Sequence, residues 1–165
     1  MQLDVRIKEI IEVLGSSTRP LRAKLMSGAD VVLKVKENPE GPNALSRDLI
    51  MTRLAQAFGL STFSLNVLKI QPDDADLINE SLKEKGVKYD APVSAGHALC
   101  SAYEDGGPWN GTEDQIKGIA NTEDIAKLVL FDTWIRNRDR RAPKGGRKGG
   151  RKPNLGNVWL SLQEN

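Results

Sequence analysis

Apolar and polar positions change their rhythm several times along the chain. Residues 3–14 place Val5, Ile7, Ile10, Ile11 and Leu14 at spacings that fit a strand or a helix, so the pattern leaves both open. Gly15-Ser16-Ser17-Thr18-Arg19-Pro20 is a turn. Leu21 to Met26 alternates apolar and basic residues, Ser27 to Asp30 reverses the chain, and Val31-Val32-Leu33-Lys34-Val35 is β-branched, which together predict a hairpin. After the breaker-rich Glu37-Asn38-Pro39-Glu40-Gly41-Pro42, a helix is predicted from Ala44 to Phe58, with Asn43 as its cap and Gly59 as its stop. Ile50, Leu54, Ala57 and Phe58 share one apolar stripe of that helix.

Further along, Ser64 to Ile70 reads as a strand, Pro72 to Lys85 as a polar helix and Ala98 to Tyr103 as a strand. Residues 105–111 read as a loop, and a second strong helix runs from Thr122 to Asn137, with Asn121 or Thr122 as its cap. Glu123 and Asp124 suit the positive end of its dipole. Its stripe of Ile125, Leu128, Val129, Asp132 and Ile135 includes an acid, and the ordinary reading is a carboxylate satisfied by an arginine or by backbone groups. Val158 to Leu162 closes the pattern as a strand. Strands that cluster early and a helix-rich end predict an α+β fold: a small antiparallel sheet with a helix across it, then a partial helical lobe.

Composition narrows the class. At 165 residues, 39% hydrophobic and 28% charged, the chain is a soluble globular protein of about one domain with a substantial core. Aromatics make only 5%, so that core is aliphatic. One cysteine, Cys100, excludes an internal disulfide framework, and with the single His97 it argues against structural zinc. His97 lacks sequence partners for catalysis, Cys100 reads as a small buried residue, and Trp134 reads as core. No apolar run reaches the roughly 20 residues of a membrane span, and Asp4, Arg6, Lys8, Glu9 and Glu12 exclude a signal core, so a cytoplasmic location is expected.

The net charge of +2 hides an imbalance: residues 136–152 hold nine Lys/Arg and one acid, and the remainder carries −6. That stretch includes Gly-Gly-Arg-Lys twice, at 145–148 and 149–152. Its ordinary reading is a solvated insertion, and it is also a candidate for contact with nucleic acid, although it lacks interleaved aromatics for base stacking.

Three places can carry chemistry. Lys34 stands in an apolar strand following the Gly-Ser-rich turn. A strand lysine ordinarily lies on a solvated face or edge, but it can also reach nucleotide phosphates beneath a turn of amides and small hydroxyls. Asn137-Arg138-Asp139-Arg140 follows the second strong helix, and an Asp there can accept a proton from an attacking hydroxyl. Asn154-Leu155-Gly156-Asn157 precedes the last strand, where an Asn oxygen can ligate magnesium.

In this order the pieces resemble a HipA-like kinase domain. The resemblance rests on Val31 to Pro42 with its Asn-Pro-x-Gly-Pro string and on Leu45-Ser46-Arg47-Asp48-Leu49. It continues through Ala57-Phe58-Gly59-Leu60, Phe131-Asp132-Thr133-Trp134-Ile135-Arg136-Asn137-Arg138-Asp139-Arg140, and Asn154 to Leu160. It implies a protein-kinase-like fold, with residues 1–104 as a nucleotide-binding lobe and 105–165 as a partial second lobe with a basic insertion at 144–152. It also implies ATP- and Mg2+-dependent phosphoryl transfer to a Ser or Thr hydroxyl of a protein. By that resemblance Lys34 holds the ATP phosphates with Asp48 as its partner, and Gly15, Ser16, Ser17 and Thr18 form the phosphate-covering loop. Asp139 is the catalytic aspartate, Asn157 ligates magnesium (with Asn154 its rival), and Cys100 to Tyr103 lie near the adenine.

The sequence departs from the kinase pattern in four ways. Asp48 is one methylene shorter than the usual Glu, which puts closure of the Lys34 pair in question. Asp139 and Asn157 stand 18 residues apart, where kinases use about five. No Asp follows Asp139, and no further helices follow. These departures imply a truncated kinase or a non-catalytic, protein-binding derivative: a chain that binds nucleotide with weak or no transfer of its own.

Overall fold

The structure, a computed structural model, describes residues 6–109, 112–137 and 158–161. The chain forms two compact units, residues 1–54 with 62–103, and residues 55–61 with 104–165.

The first unit is built on β1 (Ile7–Val13), β2 (Leu21–Leu25), β3 (Asp30–Val35), β4 (Asn66–Ile70) and β5 (Gly96–Ala102). They form one antiparallel sheet in the order β1-β2-β3-β5-β4. Two irregularities in the β1–β2 register, at Ile7/Glu9 and Ile10/Glu12, explain why residues 3–14 fitted the helical period as well as that of a strand. Each extra residue resets the alternation, so Ile7 and Ile10 turn inward three positions apart. β2 and β3 alternate strictly, with Leu21, Ala23, Leu25, Val31, Leu33 and Val35 buried. Because β3 lies between β2 and β5, Lys34 occupies the sheet's central strand rather than an edge.

α2 (Pro72–Glu84) lays Ala75, Ile78 and Leu82 on the buried face of the sheet. The polar helix read from the sequence is thus amphipathic. Asp74, buried near its start, accepts from the Gln71 amide at 3.2 Å, the Ile7 amide at 3.0 Å and Arg6 Nε at 3.2 Å, so one carboxylate caps the helix and ties it to β1.

The helix stops at Gly86, whose φ of +66° suits glycine. The Gly86 amide reaches the Lys83 carbonyl at 3.1 Å and the Val87 amide reaches that of Leu82 at 2.9 Å, a Schellman closure that fixes where the chain leaves.

α1 (Pro42–Ala57) starts at Pro42, one residue before the expected cap at Asn43. The apolar stripe expected of it is not its buried side: Ile50 and Phe58 are exposed, while Ala44 and Ala55 are buried. Its less exposed side carries Ala44, Leu45, Leu49 and Ala55 together with Asp48.

In the second unit, α3 (Glu113–Lys117) precedes α4 (Glu123–Trp134), and β6 (Gly106–Pro108) pairs antiparallel with β7 (Trp159–Ser161). Residues 106–108, read as loop, are therefore strand. Gly-Gly-Pro carries no local strand signal, and its partner lies far along the chain. At Gly106 a Cβ would come within 2.2 Å of the Leu160 carbonyl, so only glycine permits this pairing.

Trp134, expected in the core, is 64% exposed and stacks on Phe58 at 6.2 Å, with Phe131 completing the aromatic cluster. No helix among the described residues is long and apolar enough to cross a membrane.

Ile78 is fully buried between α2 and the sheet, so Ile78→Ala removes packing that nothing can refill. Denaturant unfolding should show a loss of about 2–5 kcal/mol. Val67→Ala, at a half-exposed β4 position, should cost about 1 kcal/mol or less.

Candidate active site

Lys34 alternates away from the core face of β3, and its Nζ meets Asp48 Oδ2 of α1 at 2.6 Å. The two side chains are 29% and 27% exposed, so the pair is shielded yet open to a ligand. The shorter acid does close the pair. What permits the reach is the start of α1, which is set by the loop before it.

Asn38 organises that loop. Buried at the end of β3, its side-chain amide donates to the Val35 carbonyl at 2.7 Å and the Gly41 carbonyl at 3.0 Å, while its Oδ1 accepts from the Glu40 amide at 3.0 Å. Gly41, at φ +76°, turns the chain into Pro42, the first residue of the helix. The Asn-Pro-Glu-Gly-Pro string is therefore a folding device: it fixes the entry of α1 and with it the position of Asp48.

The β1–β2 turn is closed by the Leu14 amide on the Pro20 carbonyl at 2.8 Å, and Ser16 Oγ lies 3.3 Å from Thr18 Oγ1. The amides of Gly15, Ser17 and Thr18 make no backbone hydrogen bond among the described residues. Amides left free in a turn are suited to an anion. An open depression of about 470 Å3 borders the turn, lined by residues 13–16, Arg19, Gly86 and Val87; Lys34 is not in its wall.

Glu40 connects the turn to the lysine. Its carboxyl is held below the usual range by the Ser17 hydroxyl first, then by Arg47, whose Nη2 stands 2.7 Å from Oε2, with a further contribution from the Lys34 charge. Sequence reasoning quoted Glu40 and Arg47 within motifs but assigned them no role. Their spacing of seven residues, across a loop and into a helix, carried no recognisable signal.

Of the expected adenine-side residues, Cys100 is half-buried and burial pushes its thiol up, while Ser101 is buried. The Tyr103 ring lies under the Arg22 guanidinium at 3.6 Å. Arg22 also pairs with Asp30 at 2.7 Å and Glu12 at 3.3 Å. Its guanidinium, hydrogen-bonded to Asp30, holds that carboxyl below its ordinary value. His97 is exposed.

In the second unit, α4 begins after Thr122, which makes no side-chain cap bond. Asp124 does the anchoring: it accepts from the Ser61 amide at 3.1 Å, Asn121 Nδ2 at 2.9 Å and Lys127 Nζ at 2.9 Å. Ser61, then Lys127, hold its carboxyl well below the usual range.

The same helix ends in a Schellman closure, with the Arg136 amide on the Thr133 carbonyl at 3.3 Å and the Asn137 amide on the Asp132 carbonyl at 2.8 Å. Arg136 takes the left-handed position at φ +54°, unusual for a residue other than glycine. Asp132, only 6% exposed, accepts from Asn137 Nδ2 at 3.0 Å. This donor is a side-chain amide five residues on. A hydrogen bond here replaces the apolar contact that commonly completes this motif, and it holds the residue that leads into Arg138 and Asp139.

Asp139, Asn154, Asn157 and the basic tract lie outside the described residues. Among the described residues no three His, Cys, Asp or Glu side chains gather as a metal cluster.

A family model for HipA-like kinases matches residues 7–156, most of the chain. No curated protein and no solved structure matches it.

Asp48→Ala leaves Lys34 without its partner, and thermal or denaturant unfolding should show a loss of about 1 kcal/mol, kept modest by solvent access. Asp30 and Glu40 have folded-state values below their ordinary ones, so their contribution is present above about pH 4.5 and is lost as pH falls through the depressed values. An acid titration of stability should fall less steeply below pH 4.5 in Glu40→Gln than in the wild type, by a small margin because the group faces solvent.

Proposed function

The chain belongs to the HipA-like kinase family, and from that premise we propose that it binds ATP with Mg2+ and directs the γ-phosphoryl group to a Ser or Thr hydroxyl of a protein. The observation that carries this reading is the Lys34–Asp48 pair on the central strand, at 2.6 Å. Kinases use a strand lysine paired with a helix acid to hold the phosphates of ATP. The pairing orients the ammonium, and a phosphate oxygen can join it from the solvent side.

In this reading Gly15, Ser16, Ser17 and Thr18 cover the phosphates. The free turn amides and small hydroxyls fit an anion that is approached closely by backbone. The adenine lies by Cys100 to Tyr103, on the strand that pairs with β3.

Asp139 receives the proton of the attacking hydroxyl, and the arginines beside it offset the charge of the transferred group. Asn157 would hold Mg2+, a hard cation that prefers oxygen and supplies charge neutralisation at the phosphates. The concentration of positive charge in residues 136–152 favours a second reading, contact with nucleic acid, which predicts affinity that falls steeply with salt.

Calorimetric titration of Mg-ATP into the protein should give saturable binding that is lost in Lys34→Ala. Asp139→Ala should keep the binding and, because no Asp follows Asp139 to complete the metal site, should change an already weak phosphate transfer little; a large loss of transfer would mark the chain as a fully active kinase. A folded wild-type protein with no heat of binding would contradict the reading.

A further inference from the structure

The β1–β2 turn spans residues 14–20, longer than the two-residue connections that hairpins favour. Its ends are closed by the Leu14 amide on the Pro20 carbonyl at 2.8 Å, and inside it the Ser16 amide meets the Leu14 carbonyl and the Arg19 amide the Ser16 carbonyl, both at 3.0 Å. Arg19 also sits at φ +45°, a conformation that a non-glycine residue holds only where its surroundings impose it. The surroundings here come from about 70 residues further along the chain. Tyr89 Oη donates to the Arg19 carbonyl at 2.6 Å, and Arg19 Nη1 donates to the Lys88 carbonyl at 3.0 Å. These two bonds run in opposite directions between the same short segments.

The segment that reaches over is itself rigidly launched. The Schellman closure at Gly86 sends the chain through Val87, and both Val87 and Tyr89 pack against the hydrophobic core of the sheet. Burial pushes the Tyr89 hydroxyl up to about 12, so it remains a donor throughout the neutral range. The turn is therefore bolted to the core by a side chain that is itself part of the core's edge.

We propose that residues 86–89 are a strap that holds the phosphate-covering turn in its binding shape, with Tyr89 a positioning residue acting through the Arg19 carbonyl. This rests on the nucleotide reading of Gly15 to Thr18. A turn whose amides must converge on phosphate loses conformational freedom on binding, and a strap removes much of that cost beforehand. Tyr89 touches no substrate in this account. It acts on the phosphates alone, because the turn covers phosphates and not the base.

The test is Tyr89→Phe, which deletes one hydroxyl and keeps the packed ring. The dissociation constant for Mg-ATP should rise about three- to tenfold, the span expected for one lost hydrogen bond. Adenosine, followed by ligand-observed NMR, should bind as it does to the wild type. A strap of purely structural value would weaken both ligands equally or neither, and either of those results overturns the proposal while leaving the nucleotide site standing. Wild-type protein that is folded by circular dichroism yet binds no Mg-ATP overturns the nucleotide reading and the strap with it. If Tyr89→Phe melts below the assay temperature, Gly86→Ala, which strains the launch of the strap at φ +66°, is read by the same ATP-against-adenosine comparison.

Discussion

A lysine in the middle strand of a five-stranded sheet has to be accounted for. β3 is hydrogen-bonded on both sides, so Lys34 cannot escape to an edge, and strict alternation sends it to the face opposite the aliphatic core. Its ammonium is partly shielded and needs a counter-charge, which Asp48 supplies across 2.6 Å. The loop before α1 is what brings that carboxylate there: Asn38 locks it, and Gly41 turns it into the helix that carries Asp48.

The site gathers around this pair through loops rather than through packed side chains. Glu40 is influenced by the turn, by Arg47 and by Lys34. The turn, in turn, is tied to the sheet core by Tyr89. Phosphoryl transfer asks a protein mainly for positioning and fixed charge. A rigid strand, a capped helix and a strapped turn provide fixed positions from elements whose own stability comes from aliphatic burial. The second unit uses polar locks in the same manner, with Asp124 at the start of α4 and Asp132 with Asn137 at its end.

Much of this was legible in the sequence where a local rule governs. β2 and β3 alternate cleanly, Gly59 ends a helix, and the Asn-Pro-x-Gly-Pro and Phe-Asp-x-Trp-Ile strings pointed to the HipA-like kinase family that the family model supports. Bulges hid β1, because an inserted residue scrambles the period without changing the composition. The Gly106–Pro108 strand was illegible because only a partner about 50 residues away makes it one. Trp134 was read as core from its hydrophobicity, whereas it lies over Phe58 with most of its surface open. Glu40, Arg47 and Tyr89 escaped for a common reason: each matters through a contact that joins separate elements, and such contacts leave no periodic trace.

The central claim is that the β1–β2 turn and the Lys34–Asp48 pair form one phosphate site. Amide hydrogen exchange with and without Mg-ATP tests it most directly. Nucleotide should slow exchange at Gly15, Ser17 and Thr18, whose amides make no backbone hydrogen bond among the described residues, and around Lys34 and the start of α1, with little change in α2. Slowing confined to other segments, or no slowing at the turn under saturating Mg-ATP, would contradict it.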